Sequence, residues 1–75
     1  MEAQLHHEGV VNEYFALKGY GFIRRQIGRD VFFFYADLRD TDTKIDVGDR
    51  VEFSLVPGKK GPKAVEIKKV GSPQY

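Results

Sequence analysis

The chain has 75 residues, with 12 lysines and arginines against 11 acids and a formal net charge of +1. That length argues for one domain of marginal stability, about 3–5 kcal/mol, and the near-zero charge does not by itself mark a nucleic-acid binder. The absence of cysteine excludes disulfides, thiol nucleophiles and cysteine-held metals, and no apolar run approaches the roughly 20 residues that cross a bilayer.

Residues 1–8 read as a flexible arm. His6 and His7 are adjacent there, so in an extended chain they point apart and make neither a metal pair nor a catalytic one. Gly9 to Leu17 is the expected first strand. Val10, Asn12 and Tyr14 share one parity and Val11, Glu13 and Phe15 the other; neither set is cleanly polar, which predicts a bulge or strong bend. Ala16 to Gly19 is the turn into a second strand, Gly19 to Arg25. In it Tyr20 and Phe22 face one way, while Gly19, Gly21 and Ile23 face the other. Two glycines in a strand predict sharp coiling or close approach of another backbone. Gln26 to Arg29 is a short loop with Gly28 free to take positive φ, and Asp30 to Tyr35 is the third strand.

Ala36-Asp37-Leu38 reads as a short helical turn with Leu38 inward. Residues 39–49 form a polar loop. Its Asp40, Asp42 and Asp46 suggest calcium, but the EF-hand pattern needs Asp or Asn and then Gly where Lys44 and Ile45 stand, so the motif fails. Arg50 to Val56 is the clearest half-buried strand, with Val51, Phe53 and Leu55 on one parity. Pro57 to Pro62 is a turn-rich loop. Lys63 to Val70 is the last strand, with Val65 and Ile67 expected on one face and Ala64, Glu66 and Lys68 on the other. Residues 71–75 are a tail.

The run Val31-Phe32-Phe33-Phe34-Tyr35 is too continuous to be buried by one small sheet. If strands two and three are antiparallel neighbours, Phe32 and Phe34 join Tyr20 and Phe22 on one surface. Residues 18–29 hold Lys18, Arg24, Arg25 and Arg29 and no acid, a local charge of +4. Residues 37–52 carry six acids against Arg39, Lys44 and Arg50, and residues 57–70 five lysines against Glu66. Exposed aromatics ringed by cations make a stacking platform for unpaired bases. Two core strands with ordinary solvated charges would show the same pattern, and the pattern alone leaves both readings open.

Lys18-Gly19-Tyr20-Gly21-Phe22-Ile23 resembles the first RNA-binding motif of the cold shock domain family, and Val31-Phe32-Phe33-Phe34 resembles its second. With Gly61-Pro62-Lys63-Ala64 downstream, the likeness runs from about residue 9 to residue 70. It implies an all-β, five-stranded antiparallel OB-fold barrel over residues 9–70 that binds single-stranded RNA or DNA. Bases would stack on Tyr20, Phe22, Phe32 and Phe34, with Tyr14, Phe15 and Tyr35 at the rim. Lys18, Lys60 and Arg24 or Arg25 would meet phosphate. The resemblance also places the loop of Lys59 and Lys60 beside the aromatic face and turns the acidic stretch away from it.

The chain departs from the family at several of these positions. Asn12-Glu13-Tyr14-Phe15 stands where a Lys-Trp-Phe-Asn run is common, Phe34 replaces a usual His, and Asp42 and Thr43 occupy a region that often carries a stacking aromatic. A carboxylate at Glu13 repels phosphate, and a lost stacked aromatic costs about 1–3 kcal/mol.

No nucleophile and base recur at a suggestive spacing, so no enzyme, cofactor or small-molecule substrate is expected. The expected protein is a cytoplasmic monomer with an RNA-chaperone role. The alternative is a barrel of the same fold that has become a protein-interaction module with weak or lost nucleic-acid binding.

Overall fold

The computed structural model describes residues 7–39, 44–59 and 61–71. Five strands close a barrel: β1 (His7–Phe15), β2 (Tyr20–Arg25), β3 (Val31–Phe34), β4 (Arg50–Val56) and β5 (Lys63–Gly71). Around the barrel they run β1-β2-β3-β5-β4. The pairings are antiparallel except for a short parallel seam between β3 and β5, where Phe32 pairs with Lys63. An isolated parallel bridge from Leu38 to Ile67 extends that seam. The all-β barrel expected from the sequence is therefore present, with one parallel junction. No helix among the described residues is long and apolar enough to cross a membrane.

The first strand starts at His7, two residues before the expected Gly9, because His7 and Glu8 pair with Phe53 and Glu52 of β4. The His7 ring stacks 5.8 Å from that of Phe53. At its other end β1 stops at Phe15, whose carbonyl accepts the N–H groups of Lys18 and Gly19 and so closes the turn.

The expected bulge in β1 lies between Val11 and Glu13, which face the consecutive residues Ile23 and Phe22 of β2. Asn12 is the extra residue, and it reverses the strand's parity. Val11 points into the core, and beyond the bulge Glu13 and Phe15 point out.

Gly21 confirms the close approach predicted for β2. A Cβ there would press on the Phe33 ring, 2.8 Å away, and on the carbonyl oxygen of Glu13. Gly28 takes the positive φ expected of it, 97°. The helical turn is a single 3-10 turn over Tyr35–Asp37, one residue earlier than expected. The Asp37 carboxylate accepts the Phe34 N–H at 3.0 Å, and the Leu38 N–H donates to the Tyr35 carbonyl.

The expected faces of β5 need correction. Ala64 and Ile67 are buried together, although they are three residues apart. Ser54 and Glu52 of β4 face Val65 and Lys68 of β5, so β5 holds one extra residue in that interval. Glu66 sits there at φ 53°, and this left-handed residue shifts the parity.

The core comprises Val11, Ile23, Val31, Phe33, Leu38, Ile45, Val51, Phe53, Ala64 and Ile67, with Tyr14 and Leu55 packed against it. Asp49 is also buried, at 1% exposure.

Candidate nucleic-acid interface

Antiparallel register places side chains in rows across β1, β2 and β3. Phe15 faces Tyr20, and Tyr20 faces Phe34; Glu13 faces Phe22, and Phe22 faces Phe32. Alternation then sends Val31, Phe33 and Ile23 into the core and the other aromatics outward.

The outward rings touch in a continuous chain. Ring centroids lie 5.3 Å apart for Phe15–Tyr20, 6.3 Å for Tyr20–Phe22, 5.4 Å for Tyr20–Phe32, 5.7 Å for Phe22–Phe32 and 4.6 Å for Phe32–Phe34. Phe34 and Phe15 are 45% and 40% exposed, and Tyr20, Phe22 and Phe32 are half-buried. The rings therefore rest on one another sideways while their outer surfaces meet solvent. A patch of five aromatics on a chain this small is a costly feature unless something binds it.

Charge is distributed unevenly around the patch. The Lys63 ammonium lies 4.7 Å from the Phe34 ring centroid and 3.2 Å from the Asp37 carboxylate. The sequence reading missed Lys63 as a site residue. Its place follows from the parallel seam, which pairs it with Phe32. Asp37 also corrects the expectation that the acidic stretch faces away, since it borders Phe34.

Asp30 shares the outward parity of Phe32. Its carboxylate accepts the Asn12 side-chain amide at 2.8 Å and lies 3.9 Å from Arg24 Nε. Arg24 is exposed at this end of the patch. Arg25 has the opposite parity, and its Nε donates to the Arg29 carbonyl at 2.8 Å, within the β2–β3 loop. Lys18 is exposed in the β1–β2 turn, and Lys59 is exposed beyond β4. Lys60, Asp40, Asp42 and Thr43 lie outside the described residues, as do residues 1–6 of the arm and 72–75 of the tail.

Tyr14 and Tyr35 do not join the row of rings. The bulge at Asn12 turns Tyr14 inward, where its ring packs flat against Phe33 at 5.9 Å. Tyr35 is 43% exposed on the 3-10 turn, and its N–H donates to the Gly19 carbonyl at 2.7 Å. Both line a hollow of about 420 Å³ together with Ala16 and residues 44–47. Burial there, and then the nearby Tyr35 phenol, raise the Tyr14 phenol above its ordinary value of 10.0.

A sheet face of contacting aromatics on a small closed barrel defines a nucleic-acid-binding β-barrel as a class. The 'Cold-shock' DNA-binding domain family matches residues 7–70, and this chain belongs to the cold shock domain family. The family is non-enzymatic and binds single-stranded nucleic acid. The retron Se72 cold shock-like protein of Salmonella heidelberg (strain 579083-10) is 52% identical over 64 residues, covering 83% of this chain and 96% of that protein. Cold shock-like protein CspC of Bacillus cereus is 38% identical over 64 residues, covering 84% of this chain and 98% of that protein. Among solved structures, drosophila Unr CSD456 superposes with a TM-score of 0.79 at 26% identity, over 91% of this chain and 28% of that longer one.

Proposed function

We propose that the chain binds single-stranded RNA or DNA by stacking bases on Phe15, Tyr20, Phe22, Phe32 and Phe34, and that it acts as an RNA chaperone. The observation that carries this reading is the unbroken contact of five half-exposed rings with the Lys63 ammonium at their edge. Lys63, Lys18 and Arg24 meet the phosphates, joined by Lys60. Tyr35 and Tyr14 serve a nucleotide entering the hollow beside the patch. Stacking accepts any base, so affinity is spread over many sequences. The working form is a cytoplasmic monomer.

The test is a tyrosine-fluorescence titration with a short single-stranded oligonucleotide at two salt concentrations, since the chain has no Trp. With two to four phosphates neutralised, log affinity falls against log salt with a slope of about −1.5 to −3. Phe32→Ala weakens binding by about 5- to 150-fold, the equivalent of one stacked base. No binding at low salt, or binding indifferent to Phe32→Ala, favours the protein-interaction alternative.

A further inference from the structure

Two carboxylates, Asp30 and Glu13, share the outward parity of the aromatic strands, and they differ in what they touch; a third, Asp37, lies at the Phe34 edge and pairs with Lys63 at 3.2 Å. Asp30 is engaged by the Asn12 amide and lies near Arg24. The Glu13 side chain is exposed and makes no hydrogen bond or ion pair among the described residues. Its position is fixed by the bulge at Asn12, which turns it outward directly across from Phe22. Cross-strand partners stand about 4.5–5.5 Å apart at Cβ. The Glu13 side chain therefore rises beside the ring on which a base would stack, within reach of that base's edge.

The row that Glu13 begins continues through Phe22 and Phe32 to Lys63. It has an anion at the β1 end and a cation at the β5 end, with two apolar rings between them. A nucleotide has a matching polarity, phosphate at one end and a base edge at the other. Three strand spacings, about 14 Å, separate β1 from β5, and the Lys63 ammonium leans back over the Phe34 ring of β3, 4.7 Å from its centroid, which shortens the span to that of a nucleotide. With the phosphate drawn to Lys63, the base lies over the rings with its Watson–Crick edge toward Glu13.

We propose that Glu13 is a specificity-determining residue that selects guanine at the position stacked on Phe22. An ionised carboxylate only accepts hydrogen bonds. Guanine presents two adjacent donors on its Watson–Crick edge, N1–H and the N2 amine, which match the two carboxylate oxygens. Cytosine and adenine each present one donor beside an acceptor. Uracil and thymine present one donor between two acceptors, and the carboxylate repels those. The order expected at this position is guanine first, cytosine and adenine next, and uracil or thymine last. This inference rests on the stacking reading above, and it turns a residue hostile to phosphate into a reader of bases.

The experiment compares a short oligothymidylate with the same oligomer carrying one guanine, or one inosine, at successive positions. Inosine keeps N1–H and lacks the N2 amine. At one position the guanine oligomer should bind about tenfold or more tighter than thymine, within the range of a bidentate base contact, and inosine should fall between. Glu13→Gln keeps the side-chain shape and folds as the native chain does, because Glu13 is exposed. It should abolish the guanine preference and tighten binding of the plain oligothymidylate. An equal guanine-to-thymine ratio in both proteins overturns the proposal, as does a Glu13→Gln variant that tightens every oligomer alike, which is simple phosphate repulsion. In both of those cases Phe32→Ala still weakens binding. If no oligomer binds, or Phe32→Ala changes nothing, the stacking reading fails and this proposal fails with it.

Discussion

Replacing Lys69 by Met tests what holds the loop before β4 against the barrel. Asp49 is 1% exposed. Its carboxylate accepts the Asp46 N–H at 2.8 Å and the Lys69 ammonium at 3.2 Å, and the same ammonium donates to the Lys44 carbonyl at 3.3 Å. The Asp49 backbone is engaged as well, accepting the Val11 N–H at 2.9 Å. The two partners are unequal, since the Lys69 side chain is 27% exposed. If Asp49 goes, the ammonium can turn to water; if Lys69 goes, a buried anion keeps, among the described residues, only the Asp46 N–H as donor. Breaking a buried pair from one side costs about 3–5 kcal/mol, and partial exposure of Lys69 puts Lys69→Met near the lower bound, about 3 kcal/mol. Asp49→Asn keeps an oxygen for the Asp46 N–H and forfeits the charge-assisted part, about 1.5 kcal/mol. A domain of about 3–5 kcal/mol total stability then stands close to unfolding in the first variant and survives the second. Urea denaturation followed by circular dichroism measures both. Lys69→Met as stable as Asp49→Asn would refute the reasoning, because it would mean that water reaches the carboxylate.

Other outcomes follow from the same geometry. Gly21→Ala places a methyl against the Phe33 ring and the Glu13 carbonyl and should cost about 1–3 kcal/mol; an unchanged urea midpoint would contradict that packing. Glu66 already bears the left-handed cost of about 1–2 kcal/mol, so Glu66→Asn should raise the urea midpoint and the β-branched Glu66→Val should lower it; the opposite order would contradict that conformation. Because burial raises the Tyr14 phenol, the unfolded chain releases that proton first. Stability should therefore fall as pH rises past about 10. Tyr14→Phe should flatten this alkaline slope, and tyrosinate absorbance should show one phenol titrating late; parallel slopes in the two proteins would count against it.

The parts of the fold legible in the sequence are those where alternation runs unbroken. Tyr20, Phe22, Phe32 and Phe34 share a face because β2 and β3 pair without a shift. Val51 and Phe53 are buried as their parity requires. Where one extra residue enters a ladder, less is legible: the bulge in β1 is expected but not which residue it inserts, and the faces of β5 come out wrong. Asn12 reverses β1, so that Tyr14 turns inward while Glu13 and Phe15 turn out. Glu66 reverses β5, so that Ala64 and Ile67 share the core. A bulge leaves only a weak trace in composition: mixed faces suggested the first, and nothing suggested the second. Lys63 was missed for another reason. Its neighbours Phe32 and Phe34 lie about 30 positions earlier in the chain, and only the closed barrel brings them together.

The seam between β3 and β5 also joins stability to occupancy. Phe34 and Lys63 stand on opposite sides of the barrel's shortest junction, where one register pair and one isolated bridge complete the ring of strands. In the binding mode proposed above, a strand of nucleic acid stacked on Phe34 with its phosphate on Lys63 would fasten that junction from outside, like a clasp. Anything that binds the closed form alone raises the melting temperature by mass action, about 2.7 kcal/mol at a hundredfold excess over Kd. For a chain with only a few kcal/mol in reserve, the ligand is then a large share of what keeps the barrel shut, and a cell that lacks it would hold far less of the folded protein.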